Sequence, residues 1–211
     1  MPILKTKSFL RVEEYKILSN LSINGKILDV GGSKKSGYHK LIRGRHEIIT
    51  GNIDPSYGID VVFDAQKKWP FDDASFDGVL FVNLLEHLSK YEVAVQEAFR
   101  TLRAEGVLAG VVPFMFNVHG SPHDYFRFTR SALEDIFTRA GFSNIQITEL
   151  GTGAFSVIYH CLIGFVRTVW LARVIMPIFK FADRILMRLK PGNKMGPKNM
   201  PLGYYFEAEK G

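Results

Sequence analysis

The segment Lys26-Ile27-Leu28-Asp29-Val30-Gly31-Gly32 constrains this chain most: an apolar strand ending in Asp-x-Gly and running into small residues is a strand-to-helix turn built to hold a ligand. Two more strand patterns follow, Glu47 to Asp54 and Ile59 to Asp64, and each ends in an acid. Three carboxylates thus arrive at strand C-termini, the edge where open α/β sheets bind ligands. A dinucleotide loop starting at Gly31 fails, because Ser33 and Ser36 stand where glycines must let the pyrophosphate approach. Gly32 to Gly37 has the spacing of a phosphate loop, but Tyr38-His39 replace the Lys and Ser or Thr that phosphate and magnesium require.

The elements around these segments can be read from spacing. Residues 9 to 21 suit an amphipathic helix that ends before Asn24-Gly25 and packs on the sheet edge or covers the ligand. Phe76 to Leu84 reads as the fourth strand. Ser89-x-x-Glu92 reads as a capping box opening a helix to about Arg103, closed by Gly106, and Val107 to Phe114 as the fifth strand. Ser131-x-x-Glu134 opens a helix stopped by Gly141, and Phe142 to Leu150 is the sixth strand. Gly203 to Ala208 is the candidate seventh strand, delayed by an insertion. The predicted fold is therefore α/β, a Rossmann-like seven-stranded, mostly parallel sheet with helices on both faces and a helical insertion before the last strand. Its segments are an N-terminal helical piece (1–24), a core (25–150), an insertion and linker (151–202) and the final strand (203–211).

Ile27 to Gly37, Asp54, Asp64 and the run Trp69-Pro-Phe-Asp-Asp-Ala-Ser-Phe-Asp-Gly-Val79 together resemble a class I S-adenosylmethionine-dependent methyltransferase. The resemblance implies S-adenosylmethionine as cofactor, with Asp29, Gly31, Gly32 and Gly37 around its methionine end. It also implies Asp54 at the ribose hydroxyls, Asp64 at the adenine amine, and Asn83 and His87 at the end of the fourth strand beside the cofactor. Carboxylates only accept hydrogen bonds, which suits hydroxyls and an exocyclic amine, and nearby negative charge favours a sulfonium. The family loop usually reads Asp-x-Gly-x-Gly-x-Gly, whereas Ser33-Lys34-Lys35-Ser36 interrupts it here. Two lysines beside a cationic ligand must point to solvent or meet the ligand's carboxylate.

Transfer to a hydroxyl needs a base that takes the acceptor's proton. The segment Asn117 to Thr129 follows the fifth strand and offers His119, His123 and Asp124 as catalytic candidates, and its His-Asp-Tyr-Phe-Arg-Phe-Thr run resembles methyltransferases of the type 11 group. The two histidines stay equal candidates. The competing reading pairs Asp124 with Arg127 across a turn while the aromatics anchor the loop. His87, likewise, either approaches the methyl group or satisfies a helix terminus. A metal site is not expected, since His119-x-x-x-His123 with Asp124 lacks further ligands at usable spacing.

Net charge is +6, and its distribution matters: residues 1–150 hold 18 Lys plus Arg against 18 Asp plus Glu, residues 151–211 hold 9 against 3. The excess lies among the aliphatics of 155–190, with Arg167, Arg173, Lys180, Arg184 and Arg188 interleaved with Leu, Ile, Val and Phe. That pattern favours a membrane surface over nucleic acid. Two helical pieces broken at Pro177 are expected there, lying on a membrane, packing as a lid or forming a homodimer interface. One cysteine and no uninterrupted apolar N-terminal core lead to a cytoplasmic expectation, peripheral on the inner membrane face. The function expected is methyl transfer to a hydroxyl of a lipid-linked, glycan or small-molecule acceptor. The alternatives are a non-catalytic binding or assembly protein of the same fold, and an RNA or protein methyltransferase.

Overall fold

The computed structural model describes residues 6–120, 122–166, 168–190, 192 and 194–211. Strands β1 (Gly25–Val30), β2 (His46–Asn52), β3 (Val61–Val62), β4 (Phe76–Val82) and β5 (Leu102–Pro113) run parallel. β7 (Gly203–Lys210) inserts antiparallel between β5 and β6 (Phe142–Leu150), giving the order β3-β2-β1-β4-β5-β7-β6. The chain winds outward in one direction from β1 and in the other from β4. The crevice between their C-terminal ends is therefore the topological switch point where such sheets bind ligands.

Side chains alternate across the sheet because the strand period is two. Leu28, Val79, Phe81, Leu108 and Phe206 fill one face beneath α2 (Tyr91–Thr101) and α3 (Arg130–Ala140). Ile27, Leu80, Ala109, Val111 and Tyr205 fill the other beneath α1 (Phe9–Leu18), α4 (Ala154–Leu162) and α5 (Val169–Leu189). Both faces are covered, as a largely parallel sheet requires.

Several local expectations are corrected. Ser89 does not cap α2, because its Oγ donates to Gln66 Oε1 at 2.8 Å and Lys90 takes the cap position without a side-chain bond. α2 stops at Thr101 and β5 starts at once, since Leu102 pairs with Phe76 and a register shift absorbs the residues before Val107. Thr129 rather than Ser131 caps α3, accepting from Ala132 N, while Gly141 ends it at φ 98° as expected. β2 and β3 are shorter than their patterns, so Asp54 lies in a 3₁₀ turn and Asp64 in a loop beyond β3. Pro177 does not divide the insertion: α5 runs through it for 21 residues. The break falls earlier, in a 3₁₀ turn at Ile163–Phe165, and α5 is opened by the Thr168 side chain accepting from Leu171 N. Among the described residues, no helix is long and apolar enough to cross a membrane.

Candidate active site

The C-terminal end of β1 shows why its glycines are required. A Cβ on Gly32 would overlap the Asp29 carboxylate, and Gly31, at φ 81°, turns the chain over Leu84. Asn52 Nδ2 holds the turn from β2 by donating to Gly31 O at 2.8 Å and Gly32 O at 3.3 Å. Beneath it Asp29 is fully buried, accepting from Tyr38 Oη at 2.8 Å and lying 2.6 Å from His39 Nε2. Burial pushes its carboxyl upward, opposed by His39 and Tyr38. The two residues that exclude a phosphate loop are thus the residues that seat Asp29.

The interrupting segment forms its own turn, with Ser33 N donating to Ser36 Oγ and Ser36 N to Ser33 O. Lys34 is exposed and pairs with a carboxylate of the protein itself: its Nζ lies 2.5 Å from Asp60 Oδ1, while Asp60 Oδ2 accepts from Thr50 N and Oγ1. These contacts bring Asp60 down to about 2. Gly37 lies in the turn before Tyr38.

Asp54 is exposed and uses Oδ1 to cap the 3₁₀ turn through Ser56 N at 2.8 Å. Asp64 accepts from Gln66 N at 2.9 Å with Lys67 3.5 Å away. Gly31 and Asp54 are exposed while the end of β1 beneath them is buried, so a ligand at this edge would meet the Gly31 backbone and the Asp54 carboxylate. An open backbone turn and acceptor-only carboxylates are chemically compatible with the amino-acid, hydroxyl and amine groups of S-adenosylmethionine.

Across the crevice, the end of β4 carries a second group. Asn83 adopts φ 53°, a left-handed conformation Asn tolerates, and Glu86-His87 follow in a 3₁₀ turn. The Glu86 carbonyl accepts from Tyr125 N at 2.7 Å and Phe126 N at 3.3 Å, which pins the 117–129 loop to β4. His87 Nδ1 lies 2.5 Å from His123 O; a carbonyl only accepts, so Nδ1 carries the proton and Nε2 is bare. Burial lowers the His87 pKa, keeping the ring neutral. Its Nε2 is 3.6 Å from Glu86 Oε1, and His119 Nε2 is 4.0 Å from the same oxygen. Glu86 is fully buried with neither oxygen hydrogen-bonded, and desolvation, with Glu14 adding repulsion, pushes it up to about 8.

The catalytic candidates separate here. His119 reaches the cluster, its ring 5.1 Å from that of His87. The His123 side chain is exposed beside Tyr125, and only its backbone carbonyl takes part. Asp124 is gripped by Arg127, through NH1 at 2.5 Å and NH2 at 2.7 Å, and accepts His119 N at 2.8 Å. Arg127 holds it well below the ordinary carboxylate range, so it positions the loop and is not a base at neutral pH. Sequence reasoning missed Glu14, which α1 buries beside this cluster with Arg11 3.1 Å away. The signal was present in the spacing Leu10-Glu14-Leu18, an acid in the middle of a buried helical stripe. Arg167 and Ser121 lie outside the described residues.

Comparison with known proteins gives a consistent picture. Residues 43–110, about a third of the chain, match the family model for a methyltransferase domain. No significant match to a curated protein sequence is found. Among solved structures, an S-adenosylmethionine-dependent methyltransferase of Thermotoga maritima is similar at TM-score 0.58 and 16% identity, over 96% of this chain and 90% of that one. One from Archaeoglobus fulgidus gives 0.56 and 16%, over 95% and 91%. Phosphoethanolamine N-methyltransferase 2 of Haemonchus contortus, solved with S-adenosylmethionine, gives 0.60 and 14%, over 95% of this chain and 52% of that one. The chain thus has the fold of the S-adenosylmethionine-dependent methyltransferases.

Proposed function

We propose that the protein is an S-adenosylmethionine-dependent methyltransferase acting on a hydroxyl of a lipid-linked, glycan or small-molecule acceptor at the cytoplasmic face of a membrane. The observation that carries this reading is the pairing, across one switch-point crevice, of the Gly31-Gly32 turn and Asp54 with the buried Glu86, His87 and His119. When bound, the cofactor supplies a methyl group on a sulfonium, and the chain's own residues must place the acceptor in line with it. Gly31, Gly32 and Asp54 would hold the cofactor, and Asp64 would face its adenine. The Glu86–His87–His119 cluster, two imidazoles around a buried carboxyl group without a hydrogen-bond partner, is the group that would take up an acceptor's proton or the charge it leaves. Asp124 and Arg127 fix His119 by gripping its backbone and the Asn117 carbonyl.

The membrane part of the reading rests on α5 and its approach. Phe165, Trp170 and Leu189 are 84%, 73% and 75% exposed, and Val174, Ile178, Phe181 and Ile185 continue the apolar stripe. Arg173, Arg184 and Arg188 are exposed on the same helix. Lys180 does not join them, since it turns inward to Glu13 at 2.5 Å and over the Phe9 ring. An amphipathic helix of this make-up suits the interface of an anionic bilayer. α4 stands next to the site, with His160 stacked on Phe116 at 4.3 Å and Phe116 against His119, so an acceptor held in the bilayer would lie near the crevice.

The test is transfer of a labelled methyl group from S-adenosylmethionine to membrane extracts and surface-glycan precursors, with the product hydrolysed to tell an ether or ester from a methylamine. A labelled, hydroxyl-derived product is expected. Binding of the cofactor with labelling confined to RNA or protein would overturn the acceptor class. No cofactor binding at millimolar concentration would leave a non-catalytic scaffold of this fold.

A further inference from the structure

Among the described residues, three metal-ligating side chains converge at one place: Glu86, His87 and His119 each offer one ligand atom, and those atoms all lie within 4.8 Å of one another. What distinguishes this convergence from a hydrogen-bonded cluster is its spacing, since no hydrogen bond joins Glu86 to either histidine. His87 Nδ1 is committed to His123 O, and His119 Nδ1 faces only acceptors, Asn117 O at 3.2 Å and Asp124 Oδ2 at 3.5 Å. Both imidazoles therefore engage these partners through Nδ1 and turn Nε2 toward Glu86. Glu86 adds a carboxylate with no donor on either oxygen, and the gaps of 3.6 Å and 4.0 Å from Oε1 to the two nitrogens are too long for hydrogen bonds.

We infer that Glu86, His87 and His119 form a three-ligand site for a divalent transition-metal cation. Ligand atoms about 2.0–2.1 Å from a shared tetrahedral ion stand roughly 3.3 Å apart, so spacings of 3.6 and 4.0 Å from Oε1, within 4.8 Å overall, need a contraction of at most about 1.5 Å. Two imidazoles and one carboxylate are a donor set that suits zinc, and also manganese or ferrous iron. The surroundings are those of metal-bound histidine, since each ring hands its other N–H to a carbonyl or carboxylate that fixes its orientation. Asp124, locked by Arg127, is the outer partner of His119. Glu86 and His87 are fixed at the end of β4, whereas the His119 side chain is 34% exposed and sits on the loop, which leaves the ion's remaining positions on the open side of the crevice. Resting on the methyl-transfer reading above, the ion's role there is to seat the acceptor's oxygen beside the cofactor.

The experiment uses the whole protein, stripped with chelator, and titrates Zn²⁺ and Mn²⁺ separately by calorimetry, with Mn²⁺ also followed by electron paramagnetic resonance. One ion per chain is expected. His119→Ala, on a half-buried loop position outside the sheet, and His87→Gln should each weaken binding by about 100-fold or more, and Asp124→Asn by about 10- to 100-fold. His123→Ala should leave binding unchanged. Absence of saturable binding, or binding indifferent to His119→Ala and His87→Gln, overturns the site. S-adenosylmethionine titration of the same metal-free samples reports separately on the cofactor site: cofactor binding without metal binding sinks only the metal site, and metal binding without cofactor binding sinks only the methyltransferase reading.

Discussion

At Gly32 the missing Cβ lets the chain cross directly over a buried carboxylate, and Tyr38 and His39 hold that carboxylate from the other side. Gly32→Ala forces the turn and Asp29 apart. It should lower stability by about 1–3 kcal/mol, the usual scale of overpacking, and weaken S-adenosylmethionine binding further, as read by denaturant midpoint and calorimetry. Asp60 supports a prediction with a definite sign. Its pKa is depressed from 3.8 to about 2 by Lys34 and the Thr50 groups, so its stabilising contribution is complete above the unfolded value and is lost as pH falls through about 2. Asp60→Asn should flatten the fall of melting temperature between about pH 4 and pH 2, an effect moderated by the partial exposure of the Lys34–Asp60 pair. A parent and variant with parallel acid profiles would show that the pair contributes nothing.

The insertion is tied together by one buried side chain. Asp183 of α5 accepts Phe155 N and Ser156 N, both at 2.9 Å, and Thr152 Oγ1 at 2.7 Å, so a carboxylate from one helix caps the N-terminus of the other. Asp183→Ala leaves Phe155 N and Thr152 Oγ1 without this acceptor and Ser156 N with Gly153 O alone. The cost should be about 1–3 kcal/mol, with the 3₁₀ turn at Ile163–Phe165 becoming the first site of limited proteolysis. On the outer side of the same helix, the exposed stripe gives a direct lipid test. Co-sedimentation with anionic vesicles should fall several-fold for Trp170→Glu with Phe181→Glu, and should weaken with salt for the parent. A parent that ignores vesicles at low salt would instead favour a lid or an interface between two copies. Pro177 is compatible with a continuous helix because proline has no N–H and leaves the carbonyl four residues earlier without its helical donor, a loss that costs least on an exposed side, and Pro177 is exposed.

At the level of the molecule, the sheet places two halves of one site on strands that are distant in sequence and adjacent in space, β1 and β4. A ligand bound there joins elements from α1 to the 117–129 loop, so binding should stabilise the fold as a unit. At a hundredfold its dissociation constant, S-adenosylmethionine should add about 2.7 kcal/mol to unfolding free energy, visible as a rise in melting temperature. Asp54→Ala should reduce cofactor affinity by roughly 1.5–3 kcal/mol with little effect on the free protein, because Asp54 is exposed and its carboxylate serves to cap a short turn. An unchanged affinity would remove Asp54 from the ribose site.

The sequence by itself determined the architecture: seven strand patterns, the Asp29-x-Gly31-Gly32 turn and the delay before Gly203 lead to the observed seven-stranded sheet, because strand period and turn chemistry are local properties, whereas the strand order is set by pairing. Helix ends were less legible, since Ser89 and Ser131 met the capping rule but lost their roles to Gln66 and to Thr129, partners set by packing. The candidate site was half visible. Asp54 and Asp64 were named from strand patterns that run past the strands themselves, and His119 from its loop as the equal of His123, from which it separates through the way Asp124 and Arg127 fold that loop. Glu14, Glu86 and His87 meet His119 only when α1, β4 and the loop after β5 pack together, and Lys34 finds Asp60 only through the pairing of β2 with β3. Tertiary structure alone decided these, because the distance between two side chains from separate elements is set by the core they share and by no spacing along the chain.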